Sequence, residues 1–399
     1  MIQTDTDIAV IGAGPSGAVA AQHLAAAGLR VMLLDKATFP RDKSCGDGLT
    51  ADGIQILERT GLSEWLEQFN KIDTLRLSGP DGKVCDIELI PVPGFGYGRV
   101  IPRRLLDARL VQAAVDAGAV LKEGIRVRQV EVGAGGGSAH IAASGLNLTA
   151  RLVILADGSH APVTRSLGLL RENSDLVAIR QYYAGDSGPA NRIEIHFQKW
   201  ILPGYSWLFP TGSGRANLGT GTFTQRVHNK ETDLHQDLAR FAKDPVLEGR
   251  LQNAQSDGPA RGHPLRTRFG STRTHAECIL VVGDAAGLIN PFTGEGIAPG
   301  MQSAEIAAQH AQAAISAGDL SAKRLAGYSQ ALHNEFSADH RAARLLQKSV
   351  HIPALLNFLF GRMRRDPELA LLVARIIIAQ KSPTEAFRGQ TILRTLLGM

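Results

Sequence analysis

Hydrophobic and polar residues change their spacing several times along this 399-residue chain, and each spacing predicts a different element. Short apolar runs at 7–11 and 31–34 predict buried strands, and an alanine-rich stretch between them predicts a helix. Apolar positions at helical spacing predict a helix over 103–117. Residues 192–198 alternate, which is typical of a strand with one buried face, and from about residue 304 the pattern is helical to the end.

Turn-forming residues divide other parts of the chain into shorter elements. A hairpin is predicted over 75–90 with its turn at 80–82, and a helix is predicted over 51–59. The glycine cluster at 133–138 has no apolar strand before it and no helix after it. We interpret that cluster as a hairpin loop between strands, not as a second nucleotide site.

The first strand continues into a glycine-spaced loop, with the sequence DIAVIGAGPSG at residues 7–17. Gly12 allows a tight turn, Gly14 lets the backbone approach a pyrophosphate, and Gly17 lets the next helix pack close to the sheet. Asp35, at the end of the second apolar run, can accept hydrogen bonds from a ribose 2′-OH and argues against a 2′-phosphate. These features predict a dinucleotide-binding βαβ unit and leave FAD and NAD(P) both open.

Composition limits the class of protein further. The three cysteines, Cys45, Cys85 and Cys278, are odd in number and widely spaced, which indicates no disulfide framework and fits a reducing cytosol. No metal-ligand cluster and no signal peptide are evident. The longest apolar stretch, 369–379, is interrupted by Arg375 and is too short to span a bilayer. We therefore expect a cytoplasmic protein, peripheral at a membrane at most.

The net charge of +5 is unevenly distributed along the chain. Residues 340–399 hold ten Lys and Arg against three Asp and Glu, a net of +7, so the rest of the chain has a net charge of −2. A basic, Leu- and Ile-rich helical tail can lie on an anionic membrane surface. The alternative is an ordinary helical cap with a solvated basic face. Nucleic acid is not expected as a partner, because the basic residues are not interleaved with exposed aromatic residues.

Three further segments bear on the choice of cofactor. They are LVILADGSHAPVTRSLG at 152–168, ILVVGDAAGLINPFTGEGIAPG at 279–300, and Arg103 with Asp107. Each has an ordinary explanation alone, since Asp-Gly after a strand is a common turn. Together and in this order they resemble the superfamily of FAD-containing aromatic hydroxylases and geranylgeranyl reductases, over roughly residues 5–335.

This resemblance implies FAD, with Asp284 on the ribityl chain, Arg103 beside the pyrophosphate and 294–297 facing the flavin pyrimidine. A helix N-terminus at that place would stabilise the negative charge of the reduced flavin. The chain departs from the family pattern at 298–300, where Ala-Pro-Gly replaces a bulky residue and alanine. The cofactor-binding residues that follow from the glycine loop and the resemblance are Gly12, Gly14, Ser16, Gly17, Asp35, Lys36, Cys45, Gly46, Arg103, Val127, Asp157, Gly283, Asp284, Gly294, Gly296 and Ile297.

Two other segments resemble the geranylgeranyl reductase branch. The loop FPRDKSCGDGL at 39–49 is similar to its Lys-x-Cys-Gly signature, most closely to that of prenyl-chain reductases acting on menaquinone. The segment YSWLFPTGSGRANLGTG at 205–221 matches the family pattern of aromatic-x-Trp-x-Phe-Pro, eight residues, then Gly-x-Gly.

The second segment suits a hydrocarbon ligand. Tyr205, Trp207 and Phe209 share one face of an extended strand and would form a flat apolar wall. On the next strand Gly219 and Gly221 carry no side chains and would leave room for a chain-like ligand. These five residues are the predicted substrate site, and the alternative is that the aromatic residues are simply core.

Cys45 is the candidate catalytic residue. The resemblance places it near the isoalloxazine ring, where a thiol can hydrogen-bond the flavin, shape the substrate end or deliver a proton. The alternative is a small buried residue that fills a gap. His160 and His263 are interpreted as structural or solvent-exposed. Three residues of one predicted strand are candidates for the pocket border: Arg180, Tyr182 and Tyr183.

The predicted fold class is α/β with an α+β second domain. The resemblance implies a glutathione-reductase-like FAD domain made of 1–75, 100–170 and 272–335. A mostly antiparallel substrate domain takes 76–99 and 171–271, and residues 336–399 form a C-terminal helical region.

The implied reaction is hydride transfer from reduced flavin to an isolated carbon–carbon double bond of a prenyl chain. Electrons would come from outside, through transiently bound NAD(P)H or a small redox protein. No oligomeric state is predicted. One alternative is a monooxygenase or halogenase, although the Gly-Trp-x-Trp-x-Ile-Pro motif of halogenases is absent. Another is a non-enzymatic escort protein for prenyl chains, although such proteins tend to lose the FAD motifs that this chain keeps.

Overall fold

The computed structural model describes residues 5–89, 98–133, 136–143 and 145–397. The strands in chain order are β1 (Thr6–Ile11), β2 (Val31–Leu34), β3 (Gly48–Leu49), β4 (Lys71–Ile72), β5 (Thr74–Ser78), β6 (Val84–Glu88), β7 (Gly98–Val100), β8 (Val120–Lys122), β9 (Val127–Val132), β10 (Ala139–Ala143), β11 (Leu146–Leu155), β12 (Leu176–Ala184), β13 (Arg192–His196), β14 (Tyr205–Gly212), β15 (Arg215–Phe223), β16 (Gln255–Leu265), β17 (His275–Ala276) and β18 (Ile279–Val281). The helices are α1 (Pro15–Ala26), α2 (Ala51–Arg59), α3 (Ser63–Leu66), α4 (Arg103–Asp116), α5 (Pro162–Ser166), α6 (Thr224–His228), α7 (Leu234–Phe241), α8 (Ile297–Ala317), α9 (Ala322–Ser349), α10 (Pro353–Met363), α11 (Pro367–Ile377) and α12 (Gly389–Leu397), with 3-10 turns at Pro245–Leu247, Gly283–Ala286 and Pro383–Phe387.

The first sheet contains the βαβ unit that the N-terminal motif predicts. Over the described residues its strand order is β17-β18-β11-β1-β2-β8, with the hairpin β9-β10 attached to β11. The central strand β1 pairs in parallel with β2 and with β11. Ile8, Ala9 and Val10 are fully buried, because α1 packs on these strands and contacts α4 and α8. The carboxyl ends of the parallel strands therefore meet at one edge, where such sheets bind ligands.

The second sheet is mostly antiparallel, with the order β16-β12-β15-β14-β13-β5-β6 in the described part of the chain. The pair β13 and β5 is parallel, and β5 joins the hairpin with β6 to strands from much later in the sequence. The strands of a small third sheet, β3-β7-β4, come between β2 and β8 in the sequence and enclose the β5-β6 hairpin. The α/β fold class with an inserted antiparallel sheet and C-terminal helices is confirmed, and the domain boundaries stay a prediction.

The sequence prediction that this sheet has one buried face is wrong. Ile195 and Phe197 pack with Phe360 of α10, as expected for the apolar face. On the opposite face, however, Leu208 and Leu218 pack against α7, and Glu194 and His196 are fully buried. The polar face is covered because the residues of α7 and the segment after it fold over it.

Buried polar groups on this face find partners among themselves. Ser78 Oγ and His196 Nδ1 are 2.8 Å apart, and His196 Nε2 lies 3.1 Å from Glu194. Glu194 also accepts a hydrogen bond from Arg250, whose Nε donates to Asp186 at 2.7 Å. Burial alone would raise the pKa of Glu194, but the bond from His196 and the charge of Arg250 bring it down to about 2.

Several local predictions are confirmed. The helix predicted over 51–59 is α2, and the one predicted over 103–117 is α4. The hairpin predicted from residue 75 is β5-β6, although Ile90 at its end lies outside the described residues. Strands β9 and β10 flank the glycine cluster, of which residues 134 and 135 lie outside the described part. Where the chain is described, no helix is both long enough and apolar enough to cross a bilayer.

Candidate active site

A cavity of about 780 Å³ lies between the first and second sheets. One part is lined by the glycine loop after β1 and by charged residues, and the other part is lined by apolar side chains of the second sheet and the C-terminal helices. The Cys45 loop lies between the two parts: the charges of Arg103 and Lys43 act on Cys45 from the polar part, and a Cβ on Gly46 would lie 3.3 Å from Trp207 and Phe209 of the apolar part. The arrangement allows a polar ligand and an apolar ligand to meet beside this loop.

The glycine loop shows where a pyrophosphate can lie. A Cβ on Gly12, whose φ is +104°, would lie 2.2 Å from Ala156 O, and one on Gly17 would lie 1.8 Å from Gly12 O. Gly14 instead faces the cavity, with only Arg41 Nη2 at 3.8 Å from the place of its Cβ. No side chain caps the first turn of α1. Its free N–H groups and the helix dipole therefore favour an anion at this point.

Basic side chains surround the same point. Arg103 is 4% exposed and bonds Asp107 with both arms, from Nε at 2.7 Å and from Nη2 at 2.8 Å. Arg41 Nη1 also lies 2.8 Å from Asp107 and its side chain lines the cavity. Nearby, Lys43 Nζ is 3.7 Å from Asp284, and burial lowers the pKa of Lys43. These side chains fit two negatively charged phosphates.

Asp35 lies at the cavity as predicted, next to Lys36. Its Oδ2 accepts a hydrogen bond from Ala13 N at 2.7 Å and its Oδ1 accepts one from Ala37 N at 2.8 Å. Val127 lines the same region. A carboxylate fixed in this way keeps acceptor capacity for a ribose hydroxyl.

The start of α8 closes the cavity on another side. Gly294, Gly296 and Ile297 line it, and the backbone N–H of Ala298 donates to Glu295 at 2.7 Å. Burial raises the pKa of Glu295 to about 7. The helix start thus presents backbone N–H groups to the cavity, together with a Glu295 carboxyl group that takes up a proton near neutral pH. Both features suit the edge of a ligand that becomes negatively charged when it is reduced.

Three predicted cofactor residues play a packing part that the sequence did not show. Gly283 does not line the cavity, and a Cβ there would lie 2.4 Å from Ser16 Oγ. Gly300 has the same neighbour at 2.5 Å, so Ser16 sits between these glycines where α1 meets α8. Asp157 lines the cavity, but its carboxylate is committed to capping α5, where it accepts bonds from Val163 N and Thr164 N. Gly283 thus packs between α1 and α8 and the Asp157 carboxylate caps α5, and their contacts with a cofactor stay a prediction.

The three aromatic rings lie on one face of β14 and form a wall of the cavity, as predicted. Tyr205, Trp207 and Phe209 have ring centroids 6.0 and 6.4 Å apart in sequence order. Across the strand pair they stand opposite Gly221, Gly219 and Asn217 respectively. Tyr205 OH donates to Thr293 O, which ties the wall to the loop before α8.

The prediction that Gly219 leaves room for a ligand is wrong. A Cβ on Gly219 would lie 2.0 Å from Trp207 Cζ2, and Gly219 does not line the cavity. The missing side chain makes room for the indole, whose six-membered ring occupies the place of the absent Cβ. Gly221 does line the cavity, and its nearest neighbour would be Ala178 Cβ at 3.1 Å.

Cys45 lines the cavity at the junction of its two parts. Asp47 N donates to Cys45 Sγ at 3.4 Å, and burial raises the pKa of the thiol. The group is therefore a neutral thiol at physiological pH, not a thiolate nucleophile. It can hold or donate a proton, or simply pack against a ligand.

The weaker candidates divide between the two faces of β12. Arg180 is 2% exposed, lines the cavity and pairs with Asp42, whereas Tyr183 packs into the core on the opposite face and does not border the pocket. His160 and His263 both line the cavity, with ring centroids 5.1 Å apart, and His160 is exposed, which agrees with its interpretation as a structural or solvent-exposed residue. Burial lowers the pKa of His263 to about 2, so it stays neutral.

Sequence reasoning gave no individual role to four residues with side chains at or beside the site: Arg41, Lys43, Asp47 and Glu295. Lys43 belongs to the Lys-x-Cys-Gly signature, and Glu295 to the range 294–297 that the resemblance places at the flavin pyrimidine. Arg41 lies just before the signature, in the same loop. Their charge was a usable signal. Asp47 lies in that loop and is also charged, but its burial and its hydrogen bonds could not be foreseen, because its partners come from distant strands.

Comparison with known proteins agrees with this geometry. The family described as "FAD binding domain" matches residues 5–201. A menaquinone reductase from Mycobacterium tuberculosis is 33% identical over 327 residues, 77% of each chain. A digeranylgeranylglycerophospholipid reductase from Methanopyrus kandleri is 32% identical over 356 residues, covering 85% of this chain and 88% of that protein.

Solved structures share the fold over nearly the whole length. A geranylgeranyl bacteriochlorophyll reductase-like protein from Thermoplasma acidophilum superposes with a TM-score of 0.82 at 25% identity, covering 96% of this chain and 98% of that one. Flavin-dependent halogenases match at 16–21% identity, which shows the common fold alone. The predicted cofactor, FAD, is confirmed, and the enzyme is an FAD-dependent oxidoreductase. The chain belongs to the geranylgeranyl reductase family of flavoproteins.

Proposed function

We propose that this protein saturates carbon–carbon double bonds of a prenyl chain. Bound FAD, once reduced, supplies the hydride for that reaction. One observation carries the proposal: the dinucleotide part of the cavity continues, past Cys45, into an arm lined by apolar side chains. The name of the Methanopyrus relative, with its digeranylgeranyl group, supports a prenyl substrate.

The chain's own residues contribute binding, orientation and exclusion of water. An isolated double bond has no polar group to hold, so the apolar arm must align it by shape. We assign this task to Tyr205, Trp207 and Phe209 together with Ile195 and Phe197, which lie beside them on the same face of the second sheet. Cys45 Sγ keeps its proton in this environment and is the proposed donor to the second carbon.

The pyrophosphate of FAD is assigned to the first turn of α1, with Arg41 and Arg103 beside it. The start of α8 is assigned to the pyrimidine edge of the flavin. The electron donor is proposed to be NAD(P)H, bound transiently at the cavity, or a small redox protein. Anaerobic mixing of the purified holoprotein with NADH or NADPH, followed by flavin absorbance, distinguishes these donors.

The decisive experiment is anaerobic. Dithionite-reduced holoprotein is incubated with prenylated quinones and with geranylgeranyl lipids, and products are analysed by mass spectrometry. We expect gains of two hydrogens per reduced bond, and a lower yield with Cys45→Ala. Substrate-dependent oxygen consumption with a hydroxylated or halogenated product would indicate the oxygenase alternative. A colourless protein that cannot be reduced would indicate the escort protein.

We also propose that the lipid substrate arrives from an anionic membrane surface that the C-terminal helices contact. Eight of the eleven large hydrophobic side chains found exposed in the described residues lie between Leu345 and Leu396. Leu393 and Leu396 of α12 are 51% and 62% exposed, and Phe358 of α10 is 43% exposed. Arg362 of α10 donates to the backbone of α12, so the two helices are adjacent.

Two further observations favour a lipid surface as the partner. The net charge of +7 over residues 340–399 complements anionic headgroups. The apolar arm of the cavity is lined by Val350, Ile377 and Ile378, which belong to the same C-terminal region. A prenyl chain leaving the membrane there would remain in apolar surroundings.

Removing apolar side chains from this surface is expected to release the protein from membranes. We expect the double variant Leu393→Ser, Leu396→Ser to bind vesicles of phosphatidylcholine and phosphatidylglycerol at least tenfold more weakly, since each leucine contributes about 1–2 kcal/mol when buried in lipid. Co-sedimentation measures this, and added salt should weaken parental binding.

A matched control is available outside the C-terminal helices, in α4 and β8. Leu105 and Val120 are 49% and 50% exposed, and Leu105→Ser, Val120→Ser should leave vesicle binding unchanged. Equal binding by both double variants, or no binding by the parent, would contradict the proposal. Concentration-dependent dimerisation that is lost in the Leu393 variant would show that a second copy covers this surface instead.

A further inference from the structure

A buried polar cluster holds the Cys45 loop against the aromatic wall. It consists of Asp47, Tyr182, Asn217 and Trp207, and we call it the Asp47 cluster. Asp47 and Asn217 are fully buried and Trp207 is 6% exposed. Asp47, Tyr182 and Asn217 do not line the cavity, so these three side chains lie behind the site, and only the Trp207 ring of the cluster faces it.

Asn217 is the centre of this cluster. Its Nδ2 donates to Cys45 O at 2.7 Å and to Asp47 Oδ2 at 2.8 Å, and its Oδ1 accepts from Trp207 Nε1 at 3.0 Å. Every hydrogen-bonding group of the amide except one lone pair is therefore used. One side chain thus fixes the loop and the central ring of the wall at the same time.

Asp47 secures the loop from the other side. Its Oδ2 also accepts from Tyr182 OH at 2.6 Å, and its Oδ1 accepts from Arg103 N at 3.2 Å. Its φ of +65° lies in the left-handed region, which aspartate adopts more readily than most residues. The loop conformation that presents Cys45 therefore depends on these bonds.

The loop lies directly on the rings. A Cβ on Gly46 would lie 3.3 Å from ring atoms of both Trp207 and Phe209, and one on Gly48 would lie 3.2 Å from Phe209. These close contacts leave little free space between the loop and the rings, so a shift of the loop would move Cys45 relative to the wall. Cys45 and the rings of the wall all line the cavity, so such a shift changes the space between them.

Burying the carboxylate of Asp47 in this cluster lowers the stability of the folded protein at neutral pH. Burial raises the pKa of Asp47 to about 6, although Tyr182 and Asn217 oppose this shift. The pKa of Asp47 is higher in the folded protein than its unfolded value near 3.8. Its contribution to the free energy of unfolding is therefore fully present below pH 3.8 and is lost as the pH rises through 6. At neutral pH the ionised carboxylate weakens the fold, which argues for a role other than structure.

We propose that Asn217 and Asp47 are positioning residues for prenyl reduction: by locking the Cys45 loop onto Trp207, they fix which double bond of the chain stops at the reaction site. This inference rests on the proposed function. Neither residue needs to touch the substrate, because both act through Cys45 and the indole.

The test uses the holoprotein and three variants. Asn217→Leu removes all bonds of the amide, and Asp47→Asn removes the carboxylate's bond to Arg103 N while it can keep the other two. Ser206→Ala is the matched control, because Ser206 and Thr220 form a buried hydrogen bond across the same two strands, on the opposite face. Products are analysed for the position of the added hydrogens, and kcat and KM are measured separately.

We expect Asn217→Leu to lower kcat at least tenfold and to scatter reduction over several double bonds, with a smaller change in KM, since small misplacements reduce rates strongly. Asp47→Asn should show the same change in product pattern to a lesser degree. Ser206→Ala should lower Tm without changing the product pattern. A parental pattern and kcat in both cluster variants would overturn the inference.

A second readout does not depend on any substrate. Alkylation of Cys45 by iodoacetamide is followed by peptide mass spectrometry, with Cys85, which lies outside the cavity, as internal reference. We expect alkylation of Cys45 to become at least fivefold faster in Asn217→Leu and unchanged in Ser206→Ala. An unchanged rate would overturn the inference even if the parent reduces no prenyl lipid, an outcome that by itself contradicts only the proposed function.

Discussion

Arg103→Met is expected to yield a protein that folds but loses FAD on purification. The guanidinium is buried next to the anion site at the first turn of α1, and its charge would be lost to the pyrophosphate. A charge-assisted hydrogen bond contributes about 1.5–3 kcal/mol, so we expect the Kd for FAD to rise roughly 100-fold. Flavin absorbance per mole of folded protein, and titration with FAD, measure this.

Stability should fall as well, because Asp107 loses a bidentate partner. Breaking a buried ion pair costs about 3–5 kcal/mol, and we expect the lower end because Arg41 remains beside Asp107. Arg76→Met is the matched control: Arg76 is 5% exposed and bonds Asp86 at the same 2.7 and 2.8 Å, but lies outside the cavity. It should lower Tm and retain FAD. Parental FAD affinity in Arg103→Met would contradict the assigned site.

Gly219→Ala is expected to abolish most prenyl reduction while FAD remains bound. The new Cβ would lie 2.0 Å from the indole of Trp207, which must leave its place and give up its bond to Asn217. Because a displacement of about 1 Å near reacting atoms can reduce rates about 100-fold, we expect a loss of that size in kcat/KM.

Gly262→Ala provides the comparison in the same sheet. Its nearest neighbour would be Ala178 O at 3.5 Å, an ordinary contact, so activity should be unchanged. Flavin spectra of both variants check that the cofactor is present. Parental turnover in Gly219→Ala would show that the position of the indole does not matter for the substrate, and the wall would then be only core packing.

The sequence carried a great deal of local information. Gly12, Gly14 and Gly17 lie in the loop geometry that their spacing predicts, because that geometry depends on contacts a few residues away. The helix predicted over 51–59 has those bounds, and the three aromatic residues at period two share one face of β14. Alternation in a strand fixes which side chains share a face, whatever the rest of the fold does.

Contacts between distant segments could not be read in this way. Glu194 and His196 look like residues of a solvated face, yet Arg250 and α7 cover them from more than 35 positions away. Gly219 looked like open space for a ligand and instead accommodates Trp207. In both cases the sequence shows which residues share a face of a strand, but it does not show which distant residue packs against that face.

The sequence by itself determined the glycine loop, the α/β order, the cofactor and the aromatic wall, because each depends on short-range spacing or on motifs with a fixed local geometry. Only the tertiary structure decided that Asp47 meets Tyr182 and Asn217, 135 and 170 positions away, and that the Cys45 loop is thereby fixed to the wall. A buried hydrogen bond requires two groups to be at the right distance and angle at once, and for residues so far apart that distance is set by the packing of whole sheets.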